Sequence, residues 1–337
     1  MTYREIAEAA RGQMGFCKSC PVCDGRGCRS TVPGPGAKGS GTVAMRNYDA
    51  WQQIRVNMDT ICAGGPVDTG CELFGRSLVL PVLAGPVGAV KLHYGSKYDD
   101  VQYNDILVPG CAEAGIAAMT GDGTDPRVMV AACRALKAAG GVGIPTVKPW
   151  DRDTIAEKMA LARDAGTFAI AMDIDAAGLP FLKNLDPPAG SKTVEELREI
   201  IAGCGIPFIV KGIMTARGAE KALAAGASGI VVSNHGGRVL DQVPGTAEVL
   251  PEIVDAVGGR MKIIVDGGIR TGMDIFKALA LGADACLIAR PFVVSVYGAG
   301  AEGIRDYVHQ LQSELADTMA MCGAHTLADI TRDMVRV

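Results

Sequence analysis

Short apolar runs alternate with helical patterns along most of this 337-residue chain. From about residue 78 onward we find eight runs that are mostly apolar without strict alternation, a pattern typical of parallel strands buried on both faces. The runs occupy residues 78–84, 116–119, 143–147, 168–173, 206–211, 229–233, 261–266 and 284–289. Alanine-rich helical stretches that end in glycine fill most of the intervals, for example LARDAG (161–166) and KALALG (277–282).

A helix, a glycine cap and then a strand is the sequence pattern of βα units. Eight such units favour an α/β fold of the closed (β/α)8 TIM barrel type, whereas an open doubly wound sheet, the alternative, would usually have fewer strands. Residues 1–77 precede the first strand and are predicted to form an irregular extension, with the Gly/Pro-rich segment TVPGPGAKGSGT at 31–42. Residues 301–337 are predicted to be helical and to pack outside the barrel. We therefore divide the chain into an extension (1–77) and a barrel (78–337).

Composition narrows the possible partners. Apolar residues make up 48% of the chain and the formal net charge is −4, so the core is sizeable and long-range attraction to nucleic acid or anionic membranes is absent. No apolar run approaches the roughly 20 residues that span a bilayer. The first residues resemble no secretion signal. We expect a cytoplasmic protein that binds neither nucleic acid nor membrane.

Polar side chains follow five of the eight predicted strands, at the barrel end where catalytic groups lie in this fold. Strand four ends in Asp173, with Asp175 close behind, and strand five ends in Lys211. SNHGGR (233–238) follows strand six, DGGIRTG (266–272) follows strand seven, and Arg290 follows strand eight. We predict an active site at this mouth.

The loops after strands seven and eight suit a phosphate. Gly267 and Gly268 expose backbone N–H groups ahead of a helix, and Arg270 and Arg290 add positive charge at a position where barrels commonly bind phosphate. A simple tight turn is the alternative. Lys211 would carry charge into the mouth, either to stabilise an anionic cofactor or to pair with Asp173.

His235 and Arg238 form the second part of the predicted site. A guanidinium can hold a carboxylate through two hydrogen bonds while a nearby imidazole removes a proton. The alternative is that core hydrogen bonds satisfy His235. His93, His309 and His325 lack such surroundings and are predicted to be structural or solvated.

SNHGGRVLDQVPGTAEVLPEI (233–253) and VDGGIRTGMDIFKALALGADACLIARPF (265–292) closely resemble the FMN-dependent α-hydroxy acid dehydrogenase and oxidase family, which includes glycolate oxidase, lactate oxidase and flavin lactate dehydrogenases. The resemblance covers residues 206–292 strongly and 78–205 more loosely. It implies bound FMN and oxidation of a small 2-hydroxy acid to the 2-oxo acid, with an electron acceptor that it does not identify. Members of this family commonly form tetramers, so we expect a homo-oligomer.

The resemblance also implies residue roles. His235 would be the base, Arg238 would hold the substrate carboxylate, and Asp173, preferred over Asp175, would pair with the imidazolium. The implied cofactor contacts are Pro86, Val87, Gly88, Thr120, Lys211, Ser233, Asp266, Gly267, Gly268, Arg270, Ala289 and Arg290.

Three segments depart from the family. The third strand usually carries a glutamine and a tyrosine, but here it continues as IPTVKPW (144–150); the N-terminal tyrosine that helps bind the substrate carboxylate is missing from residues 31–42; and the loop after strand four, LKNLDPPAGSKT (182–193), is short. We therefore expect a rebuilt substrate pocket, with lactate or glycolate only as the default substrate.

Four of the eleven cysteines, Cys17, Cys20, Cys23 and Cys28, lie within twelve residues. Their spacing predicts a zinc site or an iron–sulfur cluster near the barrel mouth, with incidental thiols as the alternative. The other seven are scattered and are predicted to be mostly buried thiols.

Two further functions compete with hydroxy acid oxidation. One is a flavin-barrel reaction like that of type 2 isopentenyl diphosphate isomerases, which the carboxylate-binding pair His235 and Arg238 disfavours, and the other is a redox sensor built on the cysteines.

Overall fold

Eight parallel strands close into a barrel in the computed structural model of the chain, which describes residues 1–179, 182, 185 and 189–337. Each strand pairs with the next, and the last pairs with the first. The predicted (β/α)8 barrel is therefore confirmed. In chain order the strands are β1 (Val82–Ala84), β2 (Ala117–Thr120), β3 (Gly143–Val147), β4 (Ile170–Asp173), β5 (Phe208–Ile213), β6 (Gly229–Val232), β7 (Lys262–Asp266) and β8 (Ala285–Ile288).

Two helices precede the barrel, two follow β1, and one helix follows each later strand. The helices are α1 (Tyr3–Ala10), α2 (Thr42–Gln53), α3 (Val90–Tyr94), α4 (Asp100–Glu113), α5 (Pro126–Ala138), α6 (Arg152–Asp164), α7 (Val194–Ala202), α8 (Ala216–Ala224), α9 (Thr246–Val257), α10 (Gly272–Ala280) and α11 (Arg290–Met321). Aspartate or threonine side chains cap the N-termini of α4 to α8 and of α10, each cap contributing about 1 kcal/mol.

Apolar side chains fill the barrel, and a hairpin closes the end at which the strands begin. Leu83, Met119 and Ile264 lie fully buried in the interior, in one cluster with Leu73 and Leu78 of the hairpin. The hairpin consists of strands Cys71–Leu73 and Arg76–Leu78. The predicted first strand, 78–84, was therefore wrong at its start, because residue 78 belongs to the hairpin. The predicted boundary between residues 77 and 78 falls in the same hairpin strand.

The N-terminal extension is more regular than its composition predicts, because it contains two helices that pack on the barrel. The ring of Tyr3 in α1 lies 5.1 Å from that of Tyr307 in α11. Residues 31–42 are mainly turns and bends, as predicted.

Helix α2 fastens the two loops that carry the predicted site. The side-chain amides of Asn47 and Asn234 exchange two hydrogen bonds of 2.8 Å, which tie α2 to the loop after β6. The indole of Trp51, fully buried, donates to the carbonyl of Gly267 at 2.7 Å, after β7. The extension thus positions the catalytic end of the barrel.

The C-terminal region is helical as far as Met321, with a kink at Ala299 and Gly300. Beyond it the helical prediction was wrong, since the chain forms two 3₁₀ turns and a strand, Val335–Arg336, that pairs with Arg55–Val56. Among the described residues, no helix is long and apolar enough to cross a membrane.

The close approach of α2 to the loop after β7 predicts a stability difference between two glycines. Gly268 and Gly259 both have positive φ, +88° and +74°, but a Cβ on Gly268 would lie 2.1 Å from the Asn47 carbonyl oxygen, whereas one on Gly259 would meet nothing within 4 Å. We expect Gly259→Ala to cost about 1–2 kcal/mol in backbone strain and Gly268→Ala about 3 kcal/mol or more. Urea unfolding of the two variants measures the difference. Equal losses would contradict the packing described here.

Candidate active site

A cavity of about 470 Å³ opens at the carboxyl end of the barrel. All but two of the predicted catalytic and cofactor residues line it: Pro86, Val87, Gly88, Asp173, Lys211, His235, Arg238, Asp266, Gly267, Gly268, Arg270, Ala289 and Arg290. The two exceptions, Thr120 and Ser233, are fully buried beside it. The structure therefore brings the predicted residues to one place.

His235 is held from both its backbone and its ring. Its backbone N–H donates to Ser233 Oγ at 3.1 Å, and Ser233 Oγ donates to Asp266 Oδ2 at 2.8 Å. Its Nδ1 lies 3.1 Å from Asp175 Oδ1 and 3.7 Å from Asp173 Oδ1. A carboxylate accepts a hydrogen bond from Nδ1–H, so the ring carries its hydrogen on Nδ1 and leaves Nε2 as an acceptor. This is the arrangement that a general base requires.

Asp173, at the end of β4, lies between two lysines. Lys148 Nζ is 2.7 Å from Oδ2 and Lys211 Nζ is 2.9 Å from Oδ1, while the carboxylate is almost completely buried. Burial alone would raise the pKa of Asp173, but the two ammonium groups hold it well below its ordinary value. The contact between Lys211 and Asp173, which was the alternative to a cofactor role for Lys211, is present. The shorter contact with His235 belongs to Asp175, the aspartate that we preferred less.

Lys148 is a site residue that the sequence analysis did not single out. It lies in the IPTVKPW segment, and Asp122 anchors this part of the chain: Asp122 Oδ2 accepts from the Lys148 N–H at 3.1 Å and from Trp150 Nε1 at 2.7 Å. Lys158 Nζ, 2.6 Å from Asp122 Oδ1, completes a buried ion pair. The sequence does contain a signal for Lys148: it is a lysine that directly follows an apolar strand, the same kind of pattern that identified Lys211.

The two aspartates are expected to differ in their effect on stability. Asp173→Asn leaves Lys148 and Lys211 without their shared carboxylate, which should cost about 3–5 kcal/mol, as for a broken buried pair. Asp175→Asn keeps both lysines paired and should cost about 1 kcal/mol through a weaker bond to His235. Urea unfolding of the cofactor-free variants measures both. A loss for Asp175→Asn as large as that for Asp173→Asn would contradict the assignment.

The same interaction predicts how stability depends on pH. Because the pKa of Asp173 is lower in the folded chain than in the unfolded chain, its contribution is complete above the unfolded value of about 4 and declines as pH falls further. Urea unfolding between pH 3 and 6 should therefore show a loss below about pH 4 that is smaller in Asp173→Asn. An identical pH dependence in the variant would contradict it.

One end of the cavity is built for an anion. Arg270 Nε donates to the Cys23 carbonyl at 2.7 Å, and Arg290 Nη1 is buried without a hydrogen-bond partner. No carboxylate of the described residues lies within 4.0 Å of either guanidinium. The turn at Gly267 and Gly268 lies beside them, ahead of α10. Because a buried cation is costly without a counter-charge, this end fits a phosphate such as that of FMN.

The segment at residues 31–42 reaches the other part of the cavity. Pro35 lines it, and the Lys38 N–H donates to the Gly237 carbonyl at 2.8 Å. Arg238 donates through Nη1 to the Gly34 carbonyl, and its Nη2 lies 3.1 Å from His93 Nε2. His93, which we predicted to be structural or solvated, is buried and lines the cavity. The sequence feature that could have identified His93 as a site residue is its position near the end of the short helix that follows β1.

The segment that contains the four clustered cysteines lies beside Arg270 and Arg290, near the barrel mouth, where we predicted it. All four thiols are partly buried. Burial raises the pKa of Cys17 to about 12. Burial also raises the pKa of Cys28, although the positive charge of the neighbouring Arg290 acts to lower it. Among the described residues, only Asp173, Asp175 and His235 form a group of three potential metal ligands within 4.8 Å of one another. The four sulfurs are therefore not gathered as in a metal site.

Five of the twelve residues of the predicted short loop at 182–193 lie outside the described residues. Of its first seven residues, 182–188, the structure describes Leu182 and Leu185. Leu182 is buried and lines the cavity together with Leu179 and Leu92. Apolar side chains thus accompany the charged groups in the same cavity.

Comparison with known proteins places this geometry among flavin enzymes. A family model described as FMN-dependent dehydrogenase matches residues 35–185 and 181–337. The chain is 32% identical over 327 residues to peroxisomal (S)-2-hydroxyacid oxidase GLO3 of Arabidopsis thaliana, covering 86% of this chain and 87% of that protein. It is 48% identical over 143 residues to L-lactate oxidase of Roseobacter sp., a match that covers 42% of this chain and only 39% of the relative.

Solved structures give the same result. The chain is similar to a crystal structure of mandelate oxidase with a TM-score of 0.77 and 28% identity, covering 89% of this chain and 91% of that one. A second structure of mandelate oxidase, with bound (S)-mandelic acid, also has a TM-score of 0.77 and 28% identity, covering 89% of this chain and 91% of that one.

Proposed function

The chain belongs to the family of FMN-dependent dehydrogenases, and from this membership we propose that it oxidises a small 2-hydroxy acid to the 2-oxo acid. The observation that carries the proposal is the pair formed by His235 and Arg238 on one cavity wall. His235 offers an acceptor nitrogen backed by carboxylates, and Arg238 has no carboxylate partner among the described residues. A base beside an uncompensated guanidinium suits a substrate with a hydroxyl next to a carboxylate.

The chain's own residues divide the work. Arg238 holds the substrate carboxylate, which fixes the hydroxyl near His235. His235 takes the hydroxyl proton at Nε2, and the imidazolium that results is stabilised by Asp175 at 3.1 Å and by Asp173 at 3.7 Å. Bound FMN supplies the acceptor for the hydride equivalent that leaves the α-carbon. Arg270, Arg290 and the turn at Gly267 and Gly268 would hold its phosphate.

Lys211 would face the flavin as a fixed positive charge. The neighbouring carboxylates keep the pKa of Lys211 above its ordinary value although burial opposes this. A lysine that stays protonated can stabilise negative charge that develops on the cofactor. This supports the role that the resemblance implies.

Two alternative functions receive less support. The relatives at moderate identity include 2-hydroxyacid and lactate oxidases, which favours dehydrogenation over an isomerase-like reaction. A redox sensor based on the cysteines would not require the assembled pair of His235 and Arg238.

Replacement of the base should separate catalysis from cofactor binding. We expect His235→Asn to retain FMN and to slow anaerobic flavin reduction by a 2-hydroxy acid by about two or more powers of ten, because proton removal loses its general base. His309→Asn, on the exposed face of α11, is the matched control. Stopped-flow absorbance with glycolate, lactate and mandelate measures the rates. Equal rates in the His235 and His309 variants would exclude His235 as the base.

A metal centre on Cys17, Cys20, Cys23 and Cys28 stays a prediction that rests on their spacing alone, because the structure does not gather the four sulfurs and a bound metal would have to draw them together. Elemental analysis of anaerobically purified protein should give about one zinc per chain, or iron together with acid-labile sulfide. Absence of both, with all four thiols titratable in the folded protein, would contradict it. We also propose, from the resemblance, that the chain forms a homo-oligomer, which size-exclusion chromatography with light scattering checks. The cytoplasmic location stays a prediction.

A further inference from the structure

The surroundings of His93 contain more hydrogen-bond donors than acceptors. The Gly34 N–H donates to His93 Nδ1 at 3.0 Å, and on the other side Arg238 Nη2 lies 3.1 Å from Nε2. A guanidinium has only N–H groups and accepts no hydrogen bond. Both ring nitrogens therefore face a donor of the protein.

Neither neutral tautomer satisfies both neighbours. A neutral imidazole has one N–H and one acceptor nitrogen. With Nδ1 occupied by the Gly34 N–H, the ring hydrogen is on Nε2, where it points toward the Arg238 guanidinium. The opposite tautomer would direct a hydrogen at the Gly34 N–H. One N–H of this group thus lacks an acceptor in either form, and an acceptor brought by a ligand removes the conflict.

Charge and burial determine the protonation state of the ring. Burial lowers the pKa of His93 to about 3, with further lowering by the positive charges of Arg238 and Lys148. At neutral pH the ring is consequently an uncharged donor next to a permanent cation. Arg238 itself is fixed by its bond to the Gly34 carbonyl, so the donors are already oriented.

We propose that His93, as its Nε2–H tautomer, joins Arg238 in binding the carboxylate of the substrate, a role that rests on the proposed oxidation of a 2-hydroxy acid. His93 Nε2 and Arg238 Nη2 lie 3.1 Å apart, and both residues line the cavity that His235 also lines. Residues 31–42 contain no tyrosine that could donate to a carboxylate. The backbone of Gly34 instead orients both His93 and Arg238. His93 is thus a residue that determines specificity for the acid.

The test separates binding from turnover by using a probe that cannot be oxidised. 2-Hydroxyisobutyrate has the carboxylate and hydroxyl of a substrate but no hydrogen on its α-carbon, and 2-hydroxyisobutyramide lacks the carboxylate. Isothermal titration of the FMN-loaded protein with each probe measures affinity. We expect His93→Phe to weaken binding of the acid by roughly tenfold to a hundredfold, as for a lost hydrogen bond to a charged group, with little change for the amide.

Two further variants keep the result interpretable. His93→Gln retains an N–H donor of similar reach and should recover part of the affinity for the acid. His309→Phe, on the surface of α11, should leave it unchanged. If His93→Phe fails to fold, His93→Gln compared with His93→Leu provides the same contrast. Acid affinity equal to that of the unmodified chain in every His93 variant would overturn the proposal.

A structural measurement is independent of the variants. Two-bond ¹⁵N–¹H spectra of the histidine-labelled holoprotein should show His93 neutral with its hydrogen on Nε2 from pH 5 to 8, and binding of 2-hydroxyisobutyrate should shift that hydrogen downfield. A hydrogen on Nδ1, or no response to the probe, would overturn the role of His93. If the unmodified protein binds the acid and oxidises lactate or glycolate, only this role fails. If it does neither, the proposed function fails with it.

Discussion

Uncompensated positive charge at the barrel mouth is the constraint on which the account depends. Arg238, Arg270 and Arg290 line one cavity, and no carboxylate of the described residues lies within 4.0 Å of their guanidinium groups. Burying a cation without a partner costs several kcal/mol, so a site of this kind is stable when anions occupy it. A cofactor phosphate and a substrate carboxylate are the two anions that the family's chemistry brings. The unpaired positive charge of Arg270 and Arg290 thus corresponds to the cofactor phosphate, and that of Arg238 corresponds to the substrate carboxylate.

The carboxylates of the site have separate tasks. Asp173 forms ion pairs with both Lys148 and Lys211, Asp175 makes the shorter contact with His235, and Asp266 accepts a hydrogen bond from Ser233. Lys148 explains this division of tasks. Lys211 pairs with Oδ1 of Asp173 and Lys148 pairs with Oδ2, so both oxygens of Asp173 already face an ammonium group. Asp175 is therefore the aspartate that makes the shorter contact with the base. The N-terminal extension contributes equally, since its backbone holds Arg238 and His93.

The sequence predicted the barrel and most of the residues at its mouth for a physical reason. Parallel strands buried on both faces must be apolar throughout, and the polar residues that end them are then conspicuous, as with Lys211 and His235. Contacts between distant loops leave no such pattern. The bond between Gly34 and His93, and the choice between Asp173 and Asp175, depend on side-chain directions that spacing does not encode. The turns after Met321 were missed because the helical prediction rested on the amphipathic pattern of residues 304–321, which does not extend into them.

The most direct test of the central claim compares two ligands that differ only in the phosphate. Thermal unfolding of the cofactor-free protein should show that FMN raises the Tm well above the value reached with the same concentration of riboflavin, because only FMN compensates Arg270 and Arg290. Arg290→Met should reduce the difference. Equal shifts with FMN and riboflavin, or no shift with FMN, would contradict an anion site at the end of this barrel.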